Sequence, residues 1–264
     1  MSLHSQHEGF SDFVQFLIVF PFLISLIAYL GAVIYSNRYK KRWSNFRTIC
    51  WILGHICIIV TFVGPFAELA HLNFSAHMIA HLLFGMLAPL LIALAAPITL
   101  LLRSIPVKMA RCISSILKKR YFAFVRNPIV ASILNIGGLW LLYTTSLFYM
   151  MHESSFLFIL IHAHIFLAGY IFTVAFIYID PTPHPFSYIF RSIVLLIALS
   201  AHSILSKYIY ANPLNHVPAI QAEMGAMIMY YGGDLIEIGL VYLLFYQWYK
   251  STRHATSTIA LLSK

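Results

Sequence analysis

Seven apolar runs, each close to the length that crosses a bilayer as a helix, constrain this chain more than any other feature. They cover residues 13–35, 49–66, 78–102, 129–151, 156–179, 192–210 and 225–249. An α-helix rises about 1.5 Å per residue, so about 20 apolar residues span the hydrocarbon core. The pattern predicts an all-α fold, a single polytopic membrane domain over residues 1–264 with seven transmembrane helices.

The composition excludes a water-soluble fold. Of the 264 residues, 61% are hydrophobic and only 9% are charged. Soluble domains carry roughly 25% charged residues. So few charges do not cover a surface that faces water, and we therefore expect the lipid bilayer to surround the chain.

The basic residues predict how the bundle is oriented in the membrane. Twelve of the 17 Lys and Arg lie in residues 37–47 and 103–126, and Arg191 lies in the short connection between the fifth and sixth runs. Loops rich in Lys and Arg remain in the cytoplasm. With seven spans, this rule predicts an N-terminus outside and a C-terminus in the cytoplasm. Because the loops account for the basic residues, we expect no nucleic-acid partner.

The placement of the thirteen histidines indicates where chemistry could occur. On the predicted topology, most fall in outer loops or outer helix halves: His71, His77, His81, His152, His162, His164 and His216. His77 and His81 are four residues apart, which places both imidazoles on one helix face, where they could share a metal ion. The alternative is that both hydrogen-bond to neighbouring helices or to lipid headgroups.

Histidines also lie within the fifth and sixth apolar runs, and His162 lies at a predicted depth close to that of His81. His162 and His164 are two residues apart, which turns the chain about 200° around a helix, so the pair does not face one site. We expect His162 to face the bundle and His164 to face headgroups or a neighbouring helix. His202 lies near the middle of the sixth run and is another candidate ligand.

Seven of the nine methionines share the outer bias of the histidines. They are Met78, Met86, Met150, Met151, Met224, Met227 and Met229. A thioether is a soft ligand that suits Cu(I), and imidazole suits copper, zinc or iron. The shared bias predicts a copper site with Met78 and Met224 as thioether candidates, although most of the methionines are better explained as filling gaps in the bundle.

Two acids lie within the seventh run. Asp234 and Glu237 are three residues apart and so share one helix face. A charged side chain in the membrane centre costs about 2.5–3.5 kcal/mol on insertion scales, so the pair needs a reason. Either the pair lies behind the metal ligands or forms a polar path leading from the metal site, or it belongs to a structural hydrogen-bond cluster between helices. Glu68, at the outer end of the second run, is either a ligand or a solvated helix-end charge, and we favour the latter.

Four segments carry motifs of a known family. Residues 75–83 read SAHMIAHLL, residues 88–91 read APLL, residues 96–100 read APITL and residues 221–230 read QAEMGAMIMY. With the length and the seven spans, these segments resemble the polytopic CtaG proteins, assembly factors for caa-type cytochrome c oxidase. The last segment departs from the family pattern D-Q-x-x-G-G-x-I-M-W at Ile220, Ala226 and Tyr230.

The resemblance implies a function for His77 and His81, and less directly for Gln221, Gly225 and Met229. It also implies a non-enzymatic assembly factor in the cell membrane of a bacterium, needed to make an active haem–copper oxidase. The implied partner is the membrane subunit of that oxidase. The implied cargo is copper, as Cu(I), handled on the outer side of the membrane.

Two other functions stay open from the residues alone. Ser200 or Ser203 beside His202, together with Asp234, could form a zinc-dependent intramembrane hydrolase that acts on lipid. Alternatively, His81 with His162 or His202 could bind a b-type haem through two axial ligands.

Overall fold

The computed structural model describes residues 2–183, 185–215 and 217–262, with side chains described between residues 13 and 253. His216 lies outside the described residues. Within them the chain forms α-helices, two π-helical segments and no β-strand, which confirms the predicted all-α fold. The elements are α1 (Ser2–Tyr39), α2 (Asn45–Phe62), α3 (Pro65–Leu72), α4 (Phe74–His81), a first π segment (Leu82–Leu87), α5 (Ala88–Leu94), α6 (Pro97–Ser104), α7 (Val107–Leu117), α8 (Arg120–Val125), α9 (Pro128–Ser132), a second π segment (Ile133–Gly137), α10 (Gly138–Thr144), α11 (Leu147–Glu153), α12 (Ser155–Phe176), α13 (Tyr188–Ala211) and α14 (Ala219–Leu262).

Six helical stretches among the described residues are long and apolar enough to cross a membrane. They are Phe13–Tyr39, Asn45–Phe62, Phe74–Leu94, Ser155–Phe176, Tyr188–Ala211 and Ala219–Arg253. The fourth predicted span is instead a bent pair, in which Pro128–Thr144 and Leu147–Glu153 meet at 81°. The chain has seven spans when this pair is counted as one.

The third predicted span ends earlier than residue 102. Helix α5 ends at Leu94, and Ala96 adopts a left-handed conformation with φ 53° before α6 begins at Pro97. A proline disfavours the helical conformation of the residue before it, which explains the break. The carboxylate of Asp180 accepts hydrogen bonds from the backbone N–H groups of Ile98 and Thr99 and so caps the new helix.

The first π segment lies directly after His81 and has an identifiable cause. Pro89 carries no N–H and so leaves the Gly85 carbonyl without its usual donor four residues later. At the end of this segment the Ala88 N–H donates to the carbonyl of Leu83, five residues earlier in the chain. The buried Gly85 carbonyl faces α12, where a Cβ at Gly169 would lie 2.2 Å from its oxygen. Only glycine at position 169 allows the two backbones to come this close.

The loops rich in Lys and Arg meet at one end of the bundle, which we call the basic end. The Trp43 indole N–H donates to the Tyr29 hydroxyl at 2.9 Å, and the Arg103 guanidinium lies 5.9 Å from the Trp43 ring centroid. Residues 37–47 therefore lie beside α6. The opposite end carries α3 and α11, and we call it the histidine end.

Arg191 does not lie in a connection, as the sequence predicted. It lies in the first turn of α13 and is 1% exposed. Its guanidinium carbon is 4.0 Å from the Tyr178 ring centroid and 4.4 Å from that of Tyr188. Cation–π contacts of this kind compensate part of the cost of removing the charge from water.

Replacing Gly169 by alanine should destabilise the bundle, because the added methyl group would overlap the Gly85 carbonyl. We expect a loss of about 1–3 kcal/mol in the free energy of unfolding, the usual cost of overpacking. Thermal unfolding of the detergent-purified protein, followed by circular dichroism, measures it. The control is Gly239→Ala in α14, where no described atom lies within 4 Å of the added methyl group. Equal stability of the two variants would contradict this packing.

Candidate metal-binding cavity

Helix α4 carries His77 and His81, and its start is fixed from two directions. The Asn73 side chain accepts hydrogen bonds from the N–H groups of Ser75 and Ala76 at 2.9 and 3.1 Å. The side-chain oxygen of Gln221 in α14 accepts from the Phe74 N–H at 3.1 Å. The first-turn donors of α4 are thereby satisfied away from water, and the helix is tied to α14.

Five histidines surround one cavity at the histidine end of the bundle. Its volume is about 40 Å³, which is room for roughly two or three water-sized species. The histidines come from four helices: His71 from α3, His77 and His81 from α4, His152 from α11 and His162 from α12. Phe62, Phe84, Phe158 and Tyr143 complete most of the wall. We call the five histidines the histidine cluster.

Two members of the cluster have a defined proton position. The Nδ1 of His162 lies 2.8 Å from the Phe158 carbonyl, and that of His152 lies 2.9 Å from the Phe148 carbonyl. A carbonyl oxygen only accepts, so in both rings the proton is assigned to Nδ1. Each Nε2 then keeps its lone pair, the form in which imidazole binds a metal.

His81 is the least satisfied member of the cluster. It is 6% exposed, and neither of its ring nitrogens has a hydrogen-bond partner among the residues that the structure describes. A buried polar group without a partner costs about 1–3 kcal/mol. His77 is better placed, with its Nε2 3.4 Å from the Tyr143 hydroxyl. An unpartnered imidazole in the wall of a cavity indicates a ligand position.

A wider cavity lies next to the cluster and shares three of its histidines. It has a volume of about 190 Å³ and is lined by His71, His77 and His152 together with Gln221 and residues of the connection between α13 and α14. These three imidazoles therefore stand between the wider cavity and His81. The arrangement is a vestibule that leads from the histidine end towards the cluster.

His71 lies outside the membrane-spanning helices. Desolvation of its ring, and then the nearby His152, lower the pKa of its imidazole below the ordinary value. His71 is therefore neutral at neutral pH, as a metal ligand must be.

The donors are of a type that binds copper, but they lie too far apart for three of them to bind one ion. Neutral imidazoles suit copper, zinc or iron, and the buried His81 lacks partners. Across residues 2–183, 185–215 and 217–262, however, no three His, Cys, Asp or Glu side chains are close enough to hold one ion. The ring centroids of His77 and His152 are 6.1 Å apart, and those of His71 and His152 are 6.4 Å apart. Binding one ion with three imidazoles requires the rings to rotate inward.

The structure places the other predicted ligands away from this cavity. Met78 is fully buried, but it faces α14, where its Cγ would lie 3.2 Å from a Cβ at Gly225. Met224 is 49% exposed on the surface of the bundle. The Nδ1 of His202 is 2.7 Å from the carboxylate of Glu237, and Asp234 is half-buried. The structure therefore brings neither of these methionines to the wall of the cavity.

The two histidines of α12 face different neighbours. His162 is buried in the cluster, whereas the Nε2 of His164 donates to the Leu134 carbonyl in the second π segment at 3.0 Å. Sequence reasoning did not select His71 and His152 as ligands. Both belong to short helices, α3 and α11, whose position depends on tertiary bends. The only sequence signal for them was their place among the outer histidines.

The comparisons with known proteins identify one family. A family model described as cytochrome c oxidase caa3 assembly factor (Caa3_CtaG) matches residues 27–251. An uncharacterized protein of Mycobacterium leprae is 25% identical over 263 residues, which cover 89% of this chain and 40% of the relative. An uncharacterized protein of Mycobacterium bovis is 27% identical over 190 residues, which cover 69% of this chain and 28% of the relative. The chain thus spans less than half the length of either relative. No solved structure shows significant similarity to it.

Proposed function

Because the chain belongs to the family of cytochrome c oxidase caa3 assembly factors, we propose that it holds Cu(I) for insertion into a haem–copper oxidase. The observation that supports copper as the cargo is the histidine cluster. Four helices bring five imidazoles to one cavity, and His81 there lacks any described hydrogen-bond partner. The protein acts in this proposal as a carrier and not as an enzyme.

The proposed copper side is the outer face of a bacterial cell membrane. The basic end carries most of the Lys and Arg, and such loops remain in the cytoplasm. The vestibule and the histidine cluster lie at the opposite end. Copper would therefore enter from outside, exchange its water for imidazole nitrogens in the vestibule, and reach His81 without contact with lipid.

The proposed partner is the membrane subunit of the oxidase, docked laterally in the bilayer. Large apolar side chains cover the outside of the bundle, among them Leu235 at 74% and Ile238 at 65% exposed in α14. Such a surface faces lipid or another apolar helix. Direct contact would let the ion pass between sites at a similar depth.

The two alternatives considered from the sequence gain no observation of their own. For the lipid hydrolase, Ser200 is exposed on α13 and its hydroxyl donates to the Leu196 carbonyl at 2.8 Å. For the haem protein, the cavity that His81 and His162 line offers about 40 Å³ of free space, which is small for a planar porphyrin. The copper-carrier function is therefore the one that we propose.

The proposed orientation predicts that the C-terminal end of the chain lies in the cytoplasm. A reporter that is active only in the cytoplasm should give signal when fused after Lys264. The same reporter inserted beside Glu153, at the histidine end, should be silent. The reverse pattern would show that the cluster faces the cytoplasm.

Copper retention should depend on the two histidines of α4. Protein purified without oxygen should retain copper, and His77→Ala combined with His81→Ala should lose it. Membrane insertion should persist, because it depends on the apolar helices. The matched control is His55→Ala, because His55 is buried like His81 but bonds to the Trp51 carbonyl and the Ser25 hydroxyl. Full copper content in the double variant, measured by metal analysis, would place the site elsewhere.

Loss of the protein should impair the oxidase after its synthesis. A deletion strain should keep the oxidase polypeptide in its membranes but show reduced activity and reduced oxidase copper under copper limitation. The wild-type chain and the His55→Ala variant should restore activity, and the double variant at His77 and His81 should not. Normal oxidase copper in the deletion strain would refute the proposed role.

A further inference from the structure

Another unsatisfied histidine nitrogen lies outside the cavity wall. His202 in α13 is 1% exposed and Glu237 in α14 is 5% exposed. The Nδ1 of His202 lies 2.7 Å from the Glu237 carboxylate, and a carboxylate accepts, so Nδ1 carries a proton. The Nε2 of the same ring is buried and has no hydrogen-bond partner in the part of the chain that the structure describes.

This arrangement is the one that metal-binding histidines use. Such a histidine donates its second ring N–H to a carboxylate, which fixes the tautomer, orients the ring and makes the ligating nitrogen more basic. A structural His–Glu hydrogen bond alone does not explain it. That role leaves Nε2 desolvated without compensation, at a cost of about 1–3 kcal/mol.

Close packing brings His202 towards His81. Two consecutive glycines in α14 receive neighbouring side chains: a Cβ at Gly232 would lie 2.4 Å from Leu82, and a Cβ at Gly233 would lie 2.6 Å from the His202 ring. Leu82 directly follows His81. His81 and His202 thus both lie close to the Gly232–Gly233 pair of α14, and each presents a buried nitrogen without a described partner.

We propose that His81 and the Nε2 of His202 form an inner position for Cu(I), with Glu237 as the positioning residue. This inference rests on the proposed function, and it makes His81 a ligand shared by two successive positions. His202 is nine residues before the end of α13 and so lies about 14 Å into that helix, whereas His77 is three residues from the start of α4. The ion would pass from the histidine cluster inward by exchanging its other ligands while His81 stays bound.

The charge of Glu237 selects the class of ion. A single buried carboxylate neutralises a monovalent cation, whereas a divalent ion would leave one uncompensated charge in the bilayer interior. Two imidazoles suit Cu(I), which accepts few ligands. The inner position should therefore favour Cu(I) and its redox-inert analogue Ag(I) over Zn²⁺.

The test uses the full-length protein in detergent and removes the outer ligands first. A background variant carries His→Gln substitutions at His71, His77, His152 and His162, and so keeps only His81 of the histidine cluster. Anaerobic Cu(I) titration against a chromogenic Cu(I) chelator measures its affinity, and circular dichroism verifies that it is folded. We expect the background to bind one Cu(I) per chain.

Three additions to this background separate ligand from positioning roles. His202→Gln should abolish the remaining Cu(I) binding, and Glu237→Gln should weaken it about 10–100-fold, the usual effect of losing a carboxylate behind a metal-binding histidine. His55→Gln is the control and should leave the affinity unchanged, because both of its nitrogens already have partners away from the cluster.

The outcomes distinguish the two proposals. A wild-type chain that binds no Cu(I) would overturn both. A wild-type chain that binds Cu(I), with a folded background variant that binds none, would overturn the inner position alone. The inner position is also overturned if His202→Gln and Glu237→Gln bind Cu(I) as tightly as the background does.

Discussion

Every break in a membrane helix exposes backbone groups that hydrocarbon does not satisfy, and this requirement shapes the whole bundle. Three of the breaks have a polar side chain beside them. The Asp180 carboxylate caps the start of α6, and the Thr145 hydroxyl donates to the Leu141 carbonyl near the end of α10. His164 donates to a carbonyl of the second π segment. The irregular stretches thus stay in the membrane at low cost, and they are where the bundle departs from a set of straight spans.

The same requirement places the candidate site. Pro89 frees the Gly85 carbonyl, the chain relaxes into the first π segment, and Gly169 allows α12 to approach that carbonyl. His162 lies two turns before Gly169 on α12, so the close approach of the two backbones also brings His162 to the face of α4 that carries His77 and His81. The proline–glycine contact is structural by itself, yet it determines which imidazoles share a cavity. π-helical insertions often accompany functional sites for this reason.

The sequence predicted the parts that depend on local composition and spacing. Apolar runs identified the spanning helices, and four-residue spacing placed His77 and His81 on one face, where both line the cavity. It did not predict the 81° bend before α11, because hydropathy does not separate one straight span from two apolar helices joined at Thr145 and Ser146. His152 reaches the cluster through that bend. The thioether candidates stay predictions, and helix rotation turns Met78 about 100° away from His77 and into the packing against α14.

In the proposed carrier, the acid lies deep in the bundle and the neutral ligands lie near its surface. Among the described residues, the wall of the cavity contains imidazoles and no carboxylate, so this wall would not neutralise the charge of a bound ion. Glu237, 5% exposed, lies behind His202 and would offer a compensating charge only to an ion that had moved inward. A cation that had lost its water would therefore be drawn from the vestibule towards the bundle interior by an electrostatic gradient. Because the acid would act through the ring of His202 and would not bind the ion itself, the ion would remain exchangeable, as transfer to a second membrane protein requires.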